Sequence, residues 1–284
     1  MTVHVLGPAA VAAPEGRSPP PMARELRAIV LRGLRDRRRS VLAWGLSLGS
    51  LDAFMAAIYP TIRSSIEQVA RSYPAGLKEA FGVQAMNSVE GYIHAEMFSL
   101  IIPLAIGFYA IRAVAAPLVG AEESGDLDTT LSLPISRRAL AAAACAVAAL
   151  TSAAILATVA LMTFLAGVLA GTHISLGLVI AGCAGVWPLA LFAGGLSALL
   201  AGTRHGLTLV SGAAMGVLVA MYALDLAGRL ASSLDPLRLV SAFRYYGSPM
   251  LDGIDPAAFA GLSGAGIALM IAGAVLLERR DILH

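Results

Sequence analysis

Two charged residues lie inside stretches apolar enough to cross a membrane, and they are the first candidates for chemistry. Asp52 falls within the first such stretch, and Arg112 falls near the end of the second. At about 1.5 Å of rise per residue, we expect both to lie about 10–15 Å from the same membrane face. Because a charge inside a membrane is costly, they either form a structural salt bridge with each other or have a substrate-contacting or proton-linked role.

The chain lacks the motifs of nucleotide binding and of nucleophilic catalysis. No GxxxxGK[ST] sequence occurs, and the only lysine is Lys78, so the chain has no phosphate-binding loop for ATP. GLSG at residues 261–264 is similar to the serine motif of rhomboid-type proteases, but we expect no histidine at a similar depth to act as a base. Ser263 is therefore expected to be a helix-packing residue, with no catalytic residue in the chain. Cys145 and Cys183 lack Cys–His spacing, which argues against a metal site.

The composition indicates an all-α membrane protein that crosses the bilayer several times. Hydrophobic residues make up 58% of the 284 residues and charged residues 13%, whereas soluble domains carry about 25% charged residues. A spanning helix needs about 20 apolar residues. The sequence predicts six spans, at residues 41–59, 96–119, 139–170, 174–201, 206–224 and 257–277.

Four-residue glycine spacings occur in two of these spans, at Gly45 and Gly49 and at Gly212 and Gly216. Such spacings let two helices approach closely. Because the chain contains 29 glycines, these spacings indicate helix packing more readily than a dimer interface.

The distribution of basic residues predicts which side of the membrane each connection faces. With six spans, the basic residues on one side are Arg63, Arg71, Lys78, Arg229, Arg238 and Arg244, and all others outside the spans lie on the opposite side. Basic residues concentrate in the cytoplasm. The bias therefore places both termini and the loop at residues 120–138 in the cytoplasm. With its single lysine, the composition is typical of a protein of a bacterial cell membrane.

Three further segments lie outside the spans. Residues 1–21 are rich in proline and alanine and predict a disordered tail. Residues 22–40 have the pattern of an amphipathic helix in the membrane interface, although a basic segment that only follows the positive-inside rule has the same composition. Residues 225–256 predict an outer segment that lies on the surface or dips into the membrane and returns. Glu96 and Asp225, near the outer interface, are expected to face water.

The connection GAEESGDLDTTLSLPISRR, at residues 120–138, is more patterned than a simple link between two helices requires. Its acids suit the positive end of a helix dipole, and its proline suits the return of the chain to the membrane. The residues expected to take part are Glu122, Glu123, Asp126, Leu127, Asp128, Leu131, Pro134, Ile135, Ser136, Arg137 and Arg138. We interpret the loop as a docking element for a cytoplasmic partner. Its two arginines either contact that partner or lipid phosphates, or only mark the cytoplasmic side.

The run EMFSLIIPLAIGFYAIRAVAAPLVGAEESGDLDTTLSLPISRRAL, at residues 96–140, resembles the permease subunits of ABC-2-type ATP-driven exporters. The acidic pair, the Gly-(Thr/Asp)-Leu step and the Leu-x-x-Pro-(Val/Ile)-Ser-Arg turn of that family correspond to residues 122–123, 125–127 and 131–137. SAFRYYGSP and ERRDI, later in the chain, resemble the element before the last span and the C-terminal tail. The resemblance extends over most of residues 22–284, and GDLD departs slightly from the commoner Gly-Thr-Leu.

The resemblance implies a six-helix ABC-2 architecture of the type V exporter kind, paired with a second permease that is identical or related. Two copies of a separate ABC ATPase subunit would bind ATP and Mg²⁺, so this chain would hold no cofactor and would not be an enzyme. The loop at residues 120–138 would form a coupling helix in a groove of the ATPase. Residues 22–40 would lie at the inner leaflet, and residues 225–256 would form short re-entrant helices.

The expected function is the export of a hydrophobic or amphipathic compound, such as a drug, an antibiotic or a lipid. We expect the pathway to run between two permeases, with Asp52, Met55, Met215 and Met221 as candidate lining residues. Two alternatives stay open. A membrane-embedded enzyme would need polar residues clustered at one depth, and a proton-driven secondary transporter often shows inverted repeats. No nucleic acid partner is expected.

Overall fold

The computed structural model describes residues 22–72, 88–120, 136–204 and 206–279, and every regular element within these ranges is helical. In lipid, a helix satisfies the hydrogen bonds of its backbone internally, which is why long apolar runs adopt this form. Six of the described helices are long and apolar enough to cross a membrane. The predicted all-α fold with six spans is therefore confirmed.

The helices follow one another in the order of the predicted spans, with short helices before the second span and before the last. They are α1 Met22–Ser72, α2 Val89–Ile93 with a π-helical turn at His94–Phe98, α3 Ile101–Ala115 with a π-helical turn at Ala116–Gly120, α4 Arg137–Leu169, α5 Leu176–Thr203, α6 Leu207–Leu230, a 3₁₀ helix Ser232–Val240, α7 Ala242–Tyr246, α8 Pro249–Asp252 and α9 Pro256–Arg279.

The segment at residues 22–40 is the first part of α1 and is continuous with the first span. Gly33 packs against Val147 of α4, and Gly49 packs against Met162. Because the residue numbers of the two helices increase together, α1 and α4 run parallel, and they are in contact from Gly33 to Gly49 of α1. This part of α1 therefore lies alongside α4, and an interfacial position for the residues before Gly33 stays a prediction.

The helices alternate in direction, as consecutive membrane crossings require. α3 and α6 run antiparallel, because Gly107 faces Leu218 whereas Gly120, after the end of α3, faces Leu207. The connections consequently gather at two ends of the bundle. We call the end that contains residues 231–255 the cap end, and the end where residues 120 and 136 lie the loop end.

α5 and α9 pack backbone to backbone. A methyl group built on Gly266 would lie 2.7 Å from the carbonyl carbon of Leu191 and 2.7 Å from the nitrogen of Phe192. On the next turns, a methyl group built on Gly273 would lie 2.6 Å from the nitrogen of Leu199. No side-chain carbon fits at such distances, so this approach requires glycine in α9.

α5 contributes glycines to the same contact. A methyl group built on Gly202 would lie 2.9 Å from the carbonyl oxygen of Gly273. The four-residue glycine spacings in the sequence do not indicate this contact. Of those, Gly45 lies against Thr158 of α4 and so serves helix packing, whereas Gly212 and Gly216 face open space in this chain.

Replacing Gly266 by alanine should destabilise the bundle, because its methyl group would force α5 and α9 apart. We expect a loss of about 1–3 kcal/mol, the usual cost of overpacking a tight core. The matched control is Gly264→Ala on the same helix, where nothing lies within 4 Å of an added methyl group. Because alanine is the better helix former by up to about 1 kcal/mol, the control should be neutral or stabilising. Thermal unfolding of the detergent-solubilised protein measures both, and equal effects of the two variants would contradict the proposed contact.

Candidate functional site

Of the two alternatives for Asp52 and Arg112, the salt bridge does not form. Asp52 is fully buried in α1, and its Oδ2 accepts a hydrogen bond from Thr163 Oγ1 of α4. Arg112 is exposed on α3. Arg37 Nη2 donates a 2.8 Å hydrogen bond to the carbonyl oxygen of Ala113, so Arg112 lies close to the level of Arg37. Asp52 is about 22 Å farther along α1, at about 1.5 Å per residue. The depths inferred from the predicted span limits were wrong because α1 extends far beyond them.

Asp52 is a buried carboxylate with an incomplete set of hydrogen bonds. Its Oδ1 has no hydrogen-bond partner among the described residues. Most buried polar atoms have at least one partner, so this position is an exception. The bond to Thr163 joins α1 to α4, and a substrate-contacting or proton-linked role for Asp52 stays a prediction.

The three methionines proposed for the pathway pack against the protein in separate places. Met55 Sδ accepts a 3.4 Å hydrogen bond from the hydroxyl of Tyr92. Met215 and Met221 of α6 are partly buried against the hydrophobic core. The carbonyl oxygen of Met221 accepts a 2.7 Å hydrogen bond from Ser241 Oγ. None of the three lines either of the two cavities described below, so their part in a pathway stays a prediction.

Most of the predicted docking loop lies outside the described residues. The positions concerned are Glu122, Glu123, Asp126, Leu127, Asp128, Leu131, Pro134 and Ile135. The described chain resumes at Ser136, whose Oγ accepts a 3.2 Å hydrogen bond from the backbone N–H of Ala139. Ser136 therefore caps the N-terminus of α4 and fixes where the loop ends.

Two arginines at the start of α4 contact the end of α9. Arg137 Nη1 donates a 3.4 Å hydrogen bond to the carbonyl oxygen of Leu277, and the guanidinium of Arg138 forms an ion pair with Glu278. Both side chains of the ion pair are well exposed, so the pair contributes little stability. Together with the hydrogen bond of Arg137, the ion pair keeps α4 and α9 in contact at the point where the loop joins α4.

At the cap end, a buried aspartate binds two arginines. Asp225 is 3% exposed, and its carboxylate accepts hydrogen bonds from Arg229 Nε at 2.8 Å and from Arg238 Nε at 2.9 Å. The prediction that Asp225 faces water is therefore wrong. The hydrogen bond to Asp225 raises the pKa of Arg238 above its ordinary value. Gly228 makes the contact possible, because a side chain there would overlap the aliphatic part of Arg238.

The ion pairs continue from Asp225 along the 3₁₀ helix. Arg238 Nη1 also donates a 2.9 Å hydrogen bond to Asp235, and Arg244 lies 3.6 Å from the same carboxylate. Charges of alternating sign thus hold the 3₁₀ helix and the start of α7 on the end of α6. The segment DLAGRLASSLDPLRL contains all but the last of these charges, and their alternation is the signal in the sequence that would have indicated the network.

α2 adds two more titratable groups to the cap end. Glu90 is largely buried, and its Oε1 accepts a 2.8 Å hydrogen bond from the backbone N–H of Ser175. His94 is 8% exposed, and its Nδ1 has no partner among the described residues. Burial and the nearby charge of Arg229 lower the pKa of His94 to about 4, although Asp252 acts in the opposite direction. His94 is therefore neutral near pH 7.

α8 enters the bundle from the cap end. Met250 packs against Gly182 of α5, and Pro249 packs against Gly185 one turn farther along. These glycines lie about 10–14 Å from the start of α5, at about 1.5 Å per residue. The end of residues 225–256 therefore packs between the helices of the bundle, and its re-entry into the membrane stays a prediction.

Glycines and hydroxyl groups hold this segment in place. Gly247 (φ 64°) and Gly253 (φ 81°) adopt the positive φ that other residues avoid, and they bound α8 on either side. The hydroxyl of Tyr246 donates a 3.0 Å hydrogen bond to the carbonyl oxygen of Phe98, and burial raises the pKa of this tyrosine. α7 is consequently tied to the end of α2, and it also packs against α5, α6 and α9.

Two cavities adjoin the short helices. The larger has a volume of about 570 Å³ and lies between residues 240–245 and the first turns of α9, with Phe192 of α5 at one side. The smaller, of about 280 Å³, lies against residues 244–255. The larger cavity has mostly apolar walls, which is typical of sites for small organic molecules.

The described residues form neither a protease-like site nor a cluster suited to a metal ion. Ser263 Oγ is buried and makes no hydrogen bond within the described ranges, so no base contacts it there. Groups of three His, Cys, Asp or Glu side chains that could hold a metal are likewise absent from those ranges.

Comparison with known proteins identifies a transport family. The family model described as Multidrug efflux system permease Rv1217c, C-terminal domain, matches residues 32–277. The match extends from the arginine-rich part of α1 to Leu277 in α9, and so includes the ion network and both cavities. No curated protein matches the chain.

Removing the carboxylate of Asp225 should destabilise the cap end, because two arginines would lose their buried partner. For Asp225→Ala we expect a loss of about 3 kcal/mol, near the lower end of the range for a broken buried ion pair, since both arginines reach solvent. The control is Asp235→Ala, which removes a half-exposed carboxylate and should change stability by about 0–1 kcal/mol. Chemical or thermal unfolding in detergent measures both variants. A smaller effect for Asp225→Ala than for Asp235→Ala would contradict the assignment.

His94 should make the protein less stable in mild acid. Its pKa is lowered from 6.5 to about 4 in the fold, so the unfolded chain binds a proton before the folded chain does. The contribution is complete above pH 6.5 and is lost as the pH falls toward 4, by about 2–3 kcal/mol in total. Unfolding midpoints between pH 7.5 and about 4.5 should therefore fall more steeply for the wild type than for His94→Gln. Parallel slopes for the two proteins would show that His94 is accessible to solvent.

Proposed function

This chain belongs to the family of multidrug efflux permeases, and we propose that it is the transmembrane subunit of an ATP-driven exporter of the ABC-2 type. It is a multi-pass protein of the cell membrane. The observation that carries the proposal is the family match over residues 32–277 in a chain whose sequence contains no phosphate-binding loop. If transport is driven by ATP, a separate subunit must bind and hydrolyse the ATP.

The proposed complex contains two permeases, identical or related, and two copies of an ABC ATPase that hold ATP and Mg²⁺. The loop at residues 120–138 is the proposed contact with the ATPase. The contacts at its end support this assignment, because Arg137 and Arg138 bind Leu277 and Glu278 of α9. A force applied to the loop would reach α4 directly and α9 through these contacts.

The proposed substrate is a hydrophobic or amphipathic compound, such as a drug, an antibiotic or a lipid-like molecule. The mostly apolar cavity of about 570 Å³ at the cap end supports this class, since it is large enough for a drug-sized molecule. A proton-driven secondary transporter and a membrane-embedded enzyme are the competing possibilities, and the following experiment distinguishes ATP-driven export from the first of them.

Scrambling residues 126–135 should abolish ATP-driven transport while leaving the permease folded. Ser136 is kept, so that the cap of α4 and the arginine contacts with α9 are retained. The scrambled and wild-type chains are each co-expressed with the candidate ATPase. Co-purification of the ATPase, ATP-dependent uptake of a fluorescent substrate into inverted vesicles, and elution on size-exclusion chromatography are then measured. We expect the loss of the first two and an unchanged elution profile.

The control is a scramble of residues 79–86, which lie in the connection between α1 and α2 on the predicted outer side. This variant should keep the ATPase and retain transport. Transport that continues without any ATPase, and that collapses when the proton gradient is removed, would overturn the proposal in favour of a secondary transporter.

A further inference from the structure

We propose that the larger cavity at the cap end binds a lipophilic organic cation, with its apolar body between α7 and α9 and its charge toward the carboxylates of Asp252 and Asp255. The role of this site in export rests on the proposed function, whereas binding itself does not.

The walls of the cavity offer few free hydrogen-bonding groups to a polar ligand. Its volume of about 570 Å³ is in the range of drug-sized sites, and apolar surface dominates its lining. Two of its polar side chains are already engaged: Ser241 Oγ donates to the carbonyl oxygen of Met221, and the hydroxyl of Tyr245 donates to that of Leu239. Most of the ligand surface must therefore be apolar.

The charges beside the cavity are not balanced. The smaller cavity, of about 280 Å³, shares Tyr245 and Asp255 with the larger one, and it also touches Arg244 and Asp252. Arg244 is 3.6 Å from Asp235, outside the cavity, but Arg238 also binds that carboxylate, so Arg244 counts as one positive charge. Asp252 and Asp255 form no ion pair among the described residues. Two carboxylates against one arginine leave an excess of one negative charge, which favours a cation. Both aspartates are exposed, so each contributes at most about 1 kcal/mol to its binding.

Asp255 has a second role that limits which variants are informative. Its Oδ1 accepts the backbone N–H of Ala257 at 2.9 Å and of Ala258 at 3.3 Å, and so caps α9. Asparagine keeps an oxygen for this cap and removes the charge. Asp255→Asn therefore tests electrostatics without removing the cap, which Asp255→Ala would not.

The first turns of α9 provide a matched pair of positions for filling the cavity. Gly261 lines the larger cavity, and Gly264, one turn later, does not. Nothing lies within 4 Å of a methyl group built on either residue, so both accept a side chain without a clash inside the chain. Gly261→Leu should fill part of the cavity, and Gly264→Leu should leave it open. Ala265→Leu fills the cavity from another wall and serves as a second variant.

The experiment uses the purified full chain in detergent, without ATP. Equilibrium binding of radiolabelled tetraphenylphosphonium is measured, with competition by triphenylphosphine oxide, a neutral molecule of similar shape. We expect the cation to bind about tenfold more tightly than the neutral molecule. Gly261→Leu and Ala265→Leu should each weaken the cation by about tenfold or more, and Gly264→Leu should have no effect. The double variant Asp252→Asn with Asp255→Asn should reduce the cation to the affinity of the neutral molecule.

Each result supports or overturns a defined part of the inference. Unchanged cation binding in both Gly261→Leu and Ala265→Leu would overturn the site. Equal affinities of the cation and the neutral molecule in the wild type would overturn the ligand class. Displacement of the cation by a zwitterionic phospholipid, in a way that depends on the same residues, would also overturn it. Binding that follows the expected pattern in a protein that shows no ATP-dependent efflux would support the site and overturn the proposed function instead.

Discussion

The backbone contact between α5 and α9 is the constraint on which the rest of the bundle depends. Gly202 of α5 and Gly266 and Gly273 of α9 remove the side chains that would otherwise separate the two helices. Lipid chains are as apolar as leucine, so burial of apolar surface drives helix association weakly in a membrane, and close van der Waals packing becomes more important. Because the two backbones are in contact, we expect α5 and α9 to move as one unit.

α5 also carries the glycines that receive α8. Gly182 and Gly185 accommodate Met250 and Pro249 on the half of α5 nearer the cap end, and Gly194 approaches Val114 of α3. Glycines on several faces of α5 thus set the positions of its neighbours. The short helices can enter the bundle only because α5 leaves space for them, and the two cavities lie beside the segment that enters.

The sequence predicted the six spans, their order and their helical form, because twenty-residue apolar runs have one stable form in lipid. It predicted contacts poorly. An ion pair between Asp52 and Arg112 was one of two alternatives based on their estimated depth, but the structure places the two residues at different levels. Depth along a helix depends on where the helix ends, and the apolar pattern of α1 does not show that its arginine-rich part is continuous with the span.

The candidate site was predicted less well than the fold. Asp225 was expected to face water because it stands near the end of an apolar run, but two arginines that follow it in sequence return to cover it. A docking role for residues 120–138 was predicted from their acids, proline and arginines. The contacts of Arg137 and Arg138 with α9 could not be predicted, since they join residues far apart in the chain. Side-chain contacts between distant segments leave no periodic signal.

α9 connects the two ends of the molecule. Its first turns form a wall of the larger cavity, its middle is fixed to α5 by glycine, and its last turn holds the start of α4 through Glu278. The opposite wall of the cavity is held elsewhere, because Ser241 is bonded to α6 and Tyr246 to the end of α2. A displacement of α4 at the loop end would therefore reach α9 through Glu278, whereas the wall formed by α7 is tied to α6, to the end of α2 and, through α8, to α5. Because the cavity lies between this wall and the first turns of α9, a shift of α9 would change the space available to a ligand.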